Sequence, residues 1–217
     1  MEGGSAIIVR DWINEVPALL MAWYPGEQGG TAIARVLFGE ANPSGHLPLS
    51  IPTDESQLPP FINDQTAVTY GYLHGYRWLD DQQETPGFPF GFGLSYTSFK
   101  LAKLRLDSTR LAPDGTLGAS VDVTNTGARA GAEVVQLYVS YPGSKVLRAP
   151  RTLEAFQRVE LQPGETRTVK LEVKAADLRY WDTQGSSWKL EPLHYGVEVG
   201  SSSRDLPLTT TFSLAGA

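Results

Sequence analysis

The chain has 217 residues, of which 41% are hydrophobic, 10% aromatic and 19% charged. At roughly 100–200 residues per domain this length makes one large domain or two small ones, and the apolar share is enough for a folded core. The absence of cysteine excludes a disulfide scaffold, a thiol nucleophile and any thiolate metal site, the net charge of −6 argues against a nucleic-acid-gripping surface, and no stretch reaches the roughly 20 apolar residues of a membrane span.

The N-terminus lacks the basic start and long apolar run of an export signal, so localisation is not legible there. Residues 5–9 read like the end of a buried strand, which predicts a chain that begins inside a domain. Residues 16–24 form a continuous apolar run that predicts a strand buried on both faces of a parallel sheet. Pro25-Gly26 ends it, and residues 27–38 place Ile33, Ala34, Leu37 and Phe38 at helical spacing with Gly39 as a stop. After the turn Asn42-Pro43-Ser44-Gly45, residues 47–52 alternate as an extended segment, completing a strand–helix–strand unit. From residue 53 to 92 periodicity fades while aromatic residues accumulate, predicting a long ordered loop that either ties itself down or meets a ligand.

Composition changes near residues 94–98. Residues 1–97 hold 3 basic and 11 acidic residues, whereas 98–217 hold 15 basic and 13 acidic. The predicted units are therefore 1–97, part of an α/β domain, and 98–217. The second alternates with period two over residues 99–106, 117–125, 133–141, 153–161, 166–173, 178–181, 194–199 and 209–213, with turns such as Pro163-Gly164-Glu165 between them. Short strands at such spacing predict an all-β, immunoglobulin-like sandwich.

Motifs for chemistry are sparse. Glu27-Gln28-Gly29-Gly30 opens the predicted helix without a phosphate-binding lysine or a dinucleotide fingerprint, so its glycines read as a tight turn. His46, His74 and His194 show no metal-ligand spacing, and no serine sits in a nucleophile elbow. Asp54-Glu55 and Asp80-Asp81 are adjacent acids, unlike the opposed carboxyl pair of a glycosidase.

Several ordered motifs resemble one family. Trp23-Tyr24-Pro25-Gly26-Glu27-Gln28-Gly29-Gly30, Val36-Leu37-Phe38-Gly39-Glu40-Ala41-Asn42-Pro43-Ser44-Gly45-His46-Leu47-Pro48, Gly75-Tyr76-Arg77 and Phe88-Pro89-Phe90-Gly91-Phe92-Gly93-Leu94-Ser95-Tyr96-Thr97 resemble the C-terminal half of glycoside hydrolase family 3 β-glucosidases. Farther along, Val121-Asp122-Val123-Thr124-Asn125-Thr126-Gly127 and Glu133-Val134-Val135-Gln136-Leu137-Tyr138-Val139 resemble the fibronectin type III-like domain that closes many members. Phe92 stands where histidine is common, and Glu154-Ala155-Phe156 replaces the usual Lys-Gly-Phe.

The resemblance implies a barrel, an α/β sandwich and a fibronectin-like domain in that order, with retaining cleavage of terminal β-glucosyl or related residues. It puts the nucleophilic Asp on the barrel and the acid/base Glu ahead of the segment matched here, so no catalytic residue is assigned within this chain. It calls for no cofactor or metal. Tyr70, Tyr76, Arg77 and Trp78 are the candidate substrate-binding residues, because aromatic rings stack on the apolar faces of sugars. Expected partners are a β-glucoside or oligosaccharide in the whole enzyme and a companion chain carrying the barrel, with self-association through an uncovered sheet edge as a further outcome. A carbohydrate-binding or protein-interaction module without catalysis is the competing expectation.

Overall fold

The computed structural model describes residues 1–60 and 62–215, and the chain divides into two compact units, Met1–Tyr96 and Thr97–Ala217. Phe61, within the loop predicted over 53–92, lies outside the described residues.

The first unit is built more from loops and side-chain ties than from regular elements. The predicted helix forms as α1 (Gly29–Leu37). Gly26 has φ of 74°, and a Cβ on Gly29 would meet Pro25 at 2.6 Å, so the glycines make the tight entry that the sequence suggests. Residues 16–24 differ from expectation. They join no ladder, Trp23 has a positive φ of 54°, outside the extended region, and all are half-buried or exposed. A central parallel strand must bond on both edges. Here Met1 donates its amino group to the Leu20 carbonyl at 2.8 Å and accepts from the Ala22 N–H at 2.9 Å, and Gly3 donates to Trp23 at 3.2 Å.

Residues 47–52, predicted as an extended segment, bend at Pro48 and Leu49 and form a bridge only at Ile51, and their partner comes from the aromatic segment. Ile51 and Phe88 form an antiparallel bridge, bonded both ways at 2.8 and 3.1 Å, while Leu47 donates to Phe92 and accepts from Gly91 at 2.8 Å each. Gly93 is required by closeness, because a Cβ there would lie 2.4 Å from the Gly45 carbonyl oxygen. The stretch from 53 to 92 is thus not wholly irregular. It contains a 3-10 turn at Glu55–Gln57 and a short helix, α2 (Tyr76–Asp81). Six residues are too few for a hydrophobic period to be read, and α2 begins behind Gly75 at φ 57° with no side-chain cap.

The second unit is a β-sandwich. Its strands are β1 (Phe99–Leu106), β2 (Arg110–Leu111), β3 (Thr116–Asn125), β4 (Gly131–Ser140), β5 (Arg151–Leu161), β6 (Thr166–Lys174), β7 (Tyr180–Asp182), β8 (Ser187–Lys189), β9 (His194–Gly200) and β10 (Leu208–Leu214). One sheet has the order β1-β3-β6 and the other β2-β10-β9-β4-β5, with β7 and β8 as a separate hairpin. Alternation decides the burial. Leu117, Ala119, Val121 and Val123 of β3 point inward at every second residue and meet Val135, Leu137 and Val139 of β4, Tyr195 and Val197 of β9, and Phe212 of β10. The segment predicted over 178–181 is split instead. Leu178 ends a 3-10 turn, Ala175–Leu178, and the strand starts at Tyr180.

A buried ion pair stiffens one end of this sandwich. Glu191 accepts hydrogen bonds from Ser144 Oγ at 2.7 Å and Lys145 N at 2.8 Å, and Arg148 Nε lies 3.4 Å from its carboxylate. The Arg148 guanidinium donates to the Leu178 carbonyl at 2.9 Å and lies over the rings of Tyr141 and Tyr180, 4.5 and 5.4 Å from their centroids. Burial pushes the Tyr141 hydroxyl well above the usual tyrosine range, with the nearby Glu154 carboxylate adding to the shift.

Candidate functional site

Three of the four candidate residues share the first turn of α2. The Tyr76 ring stacks on Phe90 with centroids 4.7 Å apart and planes 23° from parallel. Arg77 Nε donates to the Tyr76 hydroxyl at 3.4 Å, and its guanidinium carbon lies 5.6 Å from the same ring. The Trp78 indole N–H donates to the Gln57 carbonyl at 3.0 Å. All three side chains are half-buried. Tyr70 stands apart. It is 61% exposed at the end of a stretch, 62–70, that is exposed throughout, and Tyr72 beyond it is 54% exposed.

The platform under α2 comes from residues that the sequence left unmarked. Gln57, only 8% exposed, accepts from Thr53 N at 2.7 Å through its amide oxygen. Its amide nitrogen donates to Glu84 at 3.1 Å and to the Thr85 carbonyl at 3.0 Å, so one side chain joins the start of the 3-10 turn to the exit of α2. Asn42 plays the same part farther on. Its carboxamide oxygen accepts from Ser95 Oγ at 3.0 Å and from Tyr96 N at 2.8 Å, and the Tyr96 hydroxyl donates to the Val36 carbonyl of α1 at 2.8 Å. His46 Nδ1 lies 2.6 Å from the Gly91 carbonyl oxygen. Asn42 is marked in the sequence only as part of a turn and of one family motif, neither of which names its partners, and Gln57 carries no signal.

The acidic pairs are not arranged as opposed catalytic carboxyls. Asp80 and Asp81 occupy successive positions of a helix, about 100° apart around its axis, and Asp81 accepts from Gln82 Nε2 at 2.9 Å. Asp54 caps the turn Glu55–Gln57 by accepting from Ser56 N at 2.9 Å, and it pairs with Arg10 Nη1 at 2.5 Å. The Ser56 hydrogen bond and the Arg10 guanidinium hold its carboxyl at about 2, so it is a fixed anion rather than an acid that could deliver a proton. Among the described residues no group of three or more His, Cys, Asp or Glu could hold a metal ion, and no helix is long and apolar enough to cross a membrane.

Comparison with known proteins accounts for both units. Residues 1–96 match the glycosyl hydrolase family 3 C-terminal domain, and residues 133–203 match the fibronectin type III-like domain. The chain belongs to glycosyl hydrolase family 3. It is 37% identical over 210 residues to a β-glucosidase of Bacteroides ovatus, covering 93% of this chain and 28% of that protein. A β-xylosidase of Formosa agariphila is 40% identical over 207 residues, covering 95% and 28% respectively. The crystal structure of a β-D-glucoside glucohydrolase from Trichoderma reesei superposes with a TM-score of 0.90 at 32% identity, over 99% of this chain and 33% of that one. The chain therefore spans about 30% of the length of these family members and corresponds to their C-terminal part.

Proposed function

We propose that this polypeptide supplies the C-terminal portion of a retaining β-glucosidase-type hydrolase that removes terminal, non-reducing β-D-glucosyl or related residues. The catalytic Asp and Glu then come from outside the residues described above. The observation that supports this reading most strongly is the match of both units, in order, to a β-D-glucoside glucohydrolase.

In this reading Tyr76, Arg77 and Trp78 wall the substrate site, and Tyr70 reaches it from the exposed stretch. Arg77 brings a fork of N–H donors suited to sugar hydroxyls, and the stacking of Tyr76 on Phe90 fixes the ring beside it. Trp78 has its indole N–H committed to Gln57, so it contributes ring surface rather than a donor. The reacting bond needs two carboxyls about 5–5.5 Å apart on opposite sides, one as nucleophile and one with a raised pKa. Nothing in the α2 cluster is built that way.

Reconstitution tests the proposal. The 217-residue chain is assayed on a chromogenic β-glucoside alone and after mixing with a separately produced barrel-containing portion of a family member. Turnover only in the mixture is the expected result, and turnover by this chain unaided would overturn it. In the active mixture, Arg77→Ala and Tyr70→Ala raise KM for the glucoside if they wall the site, whereas unchanged KM for both would remove them from it.

A further inference from the structure

The hairpin of β7 and β8 is the feature that neither the sandwich core nor the α2 cluster explains. Each strand is only three residues long, and a two-stranded hairpin of that size is marginal without external support. Support comes on one face. Tyr180 lies under the Arg148 guanidinium, and Lys189 pairs with the Asp182 carboxylate, which also accepts from Gln184 N and Gly185 N at 3.2 Å each. Alternation turns the residues between them to the other face. There Trp181 and Trp188 stand directly opposite each other, rings 5.5 Å apart and 73° from parallel, and remain 49% and 62% exposed.

Two half-exposed tryptophans on a pinned hairpin form a small apolar patch of fixed shape. The apolar surface they leave open is about 250 Å² at typical aromatic side-chain areas. That is far below the roughly 800 Å² per partner of a stable protein interface. It is the size of the apolar faces of one or two pyranose rings. The side chains of Thr183, Gln184 and Ser186 at the hairpin tip add hydroxyl and amide groups that can meet sugar hydroxyls.

We infer that Trp181 and Trp188 form a carbohydrate-binding corner for a β-linked glucan chain, separate from the site of cleavage. One ring offers its face to a sugar and the other, set nearly at right angles, acts as a wall. Because the hairpin is anchored through Tyr180, Asp182 and Lys189, the corner is preformed and little side-chain entropy is lost on binding. The choice of a glucan rests on the glucosidase reading, while the existence of the corner does not. Its role is to hold a polymer against the enzyme after one terminal sugar has been released.

Electrophoresis of the 217-residue chain through gels with and without a soluble β-glucan tests this. The chain is expected to be retarded by the glucan, with apparent affinity falling about tenfold or more in W181A/W188A, while W188Y, which keeps a ring, stays retarded. No retardation of the unaltered chain, or equal retardation of the double variant, would overturn the inference. So would a change of oligomeric state in W181A/W188A without glucan binding, which would assign the pair to a protein contact. Should the double variant fail to fold, oxidation of the unaltered chain by N-bromosuccinimide decides. A gluco-oligosaccharide should protect the peptides carrying Trp181 and Trp188 but not the one carrying Trp23, which has no part in either proposed sugar site, and uniform oxidation would sink the assignment. Retardation without hydrolysis in the reconstituted mixture would leave this corner standing while the glucosidase reading fell, and the converse result would do the reverse.

Discussion

The two units use opposite means to hold a chain in place. In Thr97–Ala217 long antiparallel ladders satisfy the backbone and leave side chains free to pack, so Val121, Val135, Leu137 and Tyr195 are fully buried. Among the described residues of Met1–Tyr96 only α1 and α2 are regular helices longer than one turn, and the backbone is tied by side chains such as Gln57, Asn42 and Asp54. Leu37 and Phe38 of its helix region are left 64% and 85% exposed. Burial of apolar area and ladder formation therefore dominate one unit, while individual hydrogen bonds carry the other. Cooperativity should differ accordingly, with amides of the first unit exchanging at lower opening free energies.

That contrast can be broken at points of graded cost. Removing Glu191 leaves Arg148 charged and buried, so Glu191→Ala should lower unfolding stability of the second unit by about 3–5 kcal/mol in urea titrations. Leu137→Ala opens a cavity between the sheets and should cost about 2–5 kcal/mol, read the same way. Gln57→Ala strips the Thr53 amide, the Glu84 carboxylate and the Thr85 carbonyl of a shared partner and should cost about 1–3 kcal/mol, seen as faster amide exchange around α2 and not in β3 or β4. A loss spread equally over both units would contradict the division between them. Phe38→Ser should change stability of the chain by less than about 0.5 kcal/mol, since the ring is already in water.

The smallest effect is one of pH. The Asp54 carboxyl sits at about 2 in the folded chain against an ordinary 3.8, so its contribution is complete above about pH 4 and disappears as pH falls toward 2. Asp54→Asn should flatten the acid-side fall of the thermal midpoint over that window. An identical slope in both proteins would show that the cap and the Arg10 pair carry no linkage.

Legibility followed the same divide. The sandwich strands were readable almost to the residue, as with 99–106 and 166–173, because a half-buried strand writes its alternation directly into the chain. β2 and β8 escaped because two or three residues carry no period. In the first unit, α1 was visible through its apolar spacing, but α2 was too short, and the apolar run 16–24 could not be told from a central strand without knowing what lies beside it. The stacking of Tyr76 on Phe90 and the anchoring of Trp78 on Gln57 join residues 14 and 21 positions apart, a distance at which no local pattern survives.

The order of motifs and the alternation of apolar residues were enough to determine the family and most of the sandwich, since each is a property of neighbours along the chain. Which aromatic rings are spent on packing and which stay open was decided only by the fold. Trp78 and Trp188 look alike in sequence, yet one has its N–H bound to a carbonyl and the other stands 62% exposed on a hairpin held from behind. That distinction depends on surfaces brought together from distant residues, and composition and period carry no record of them.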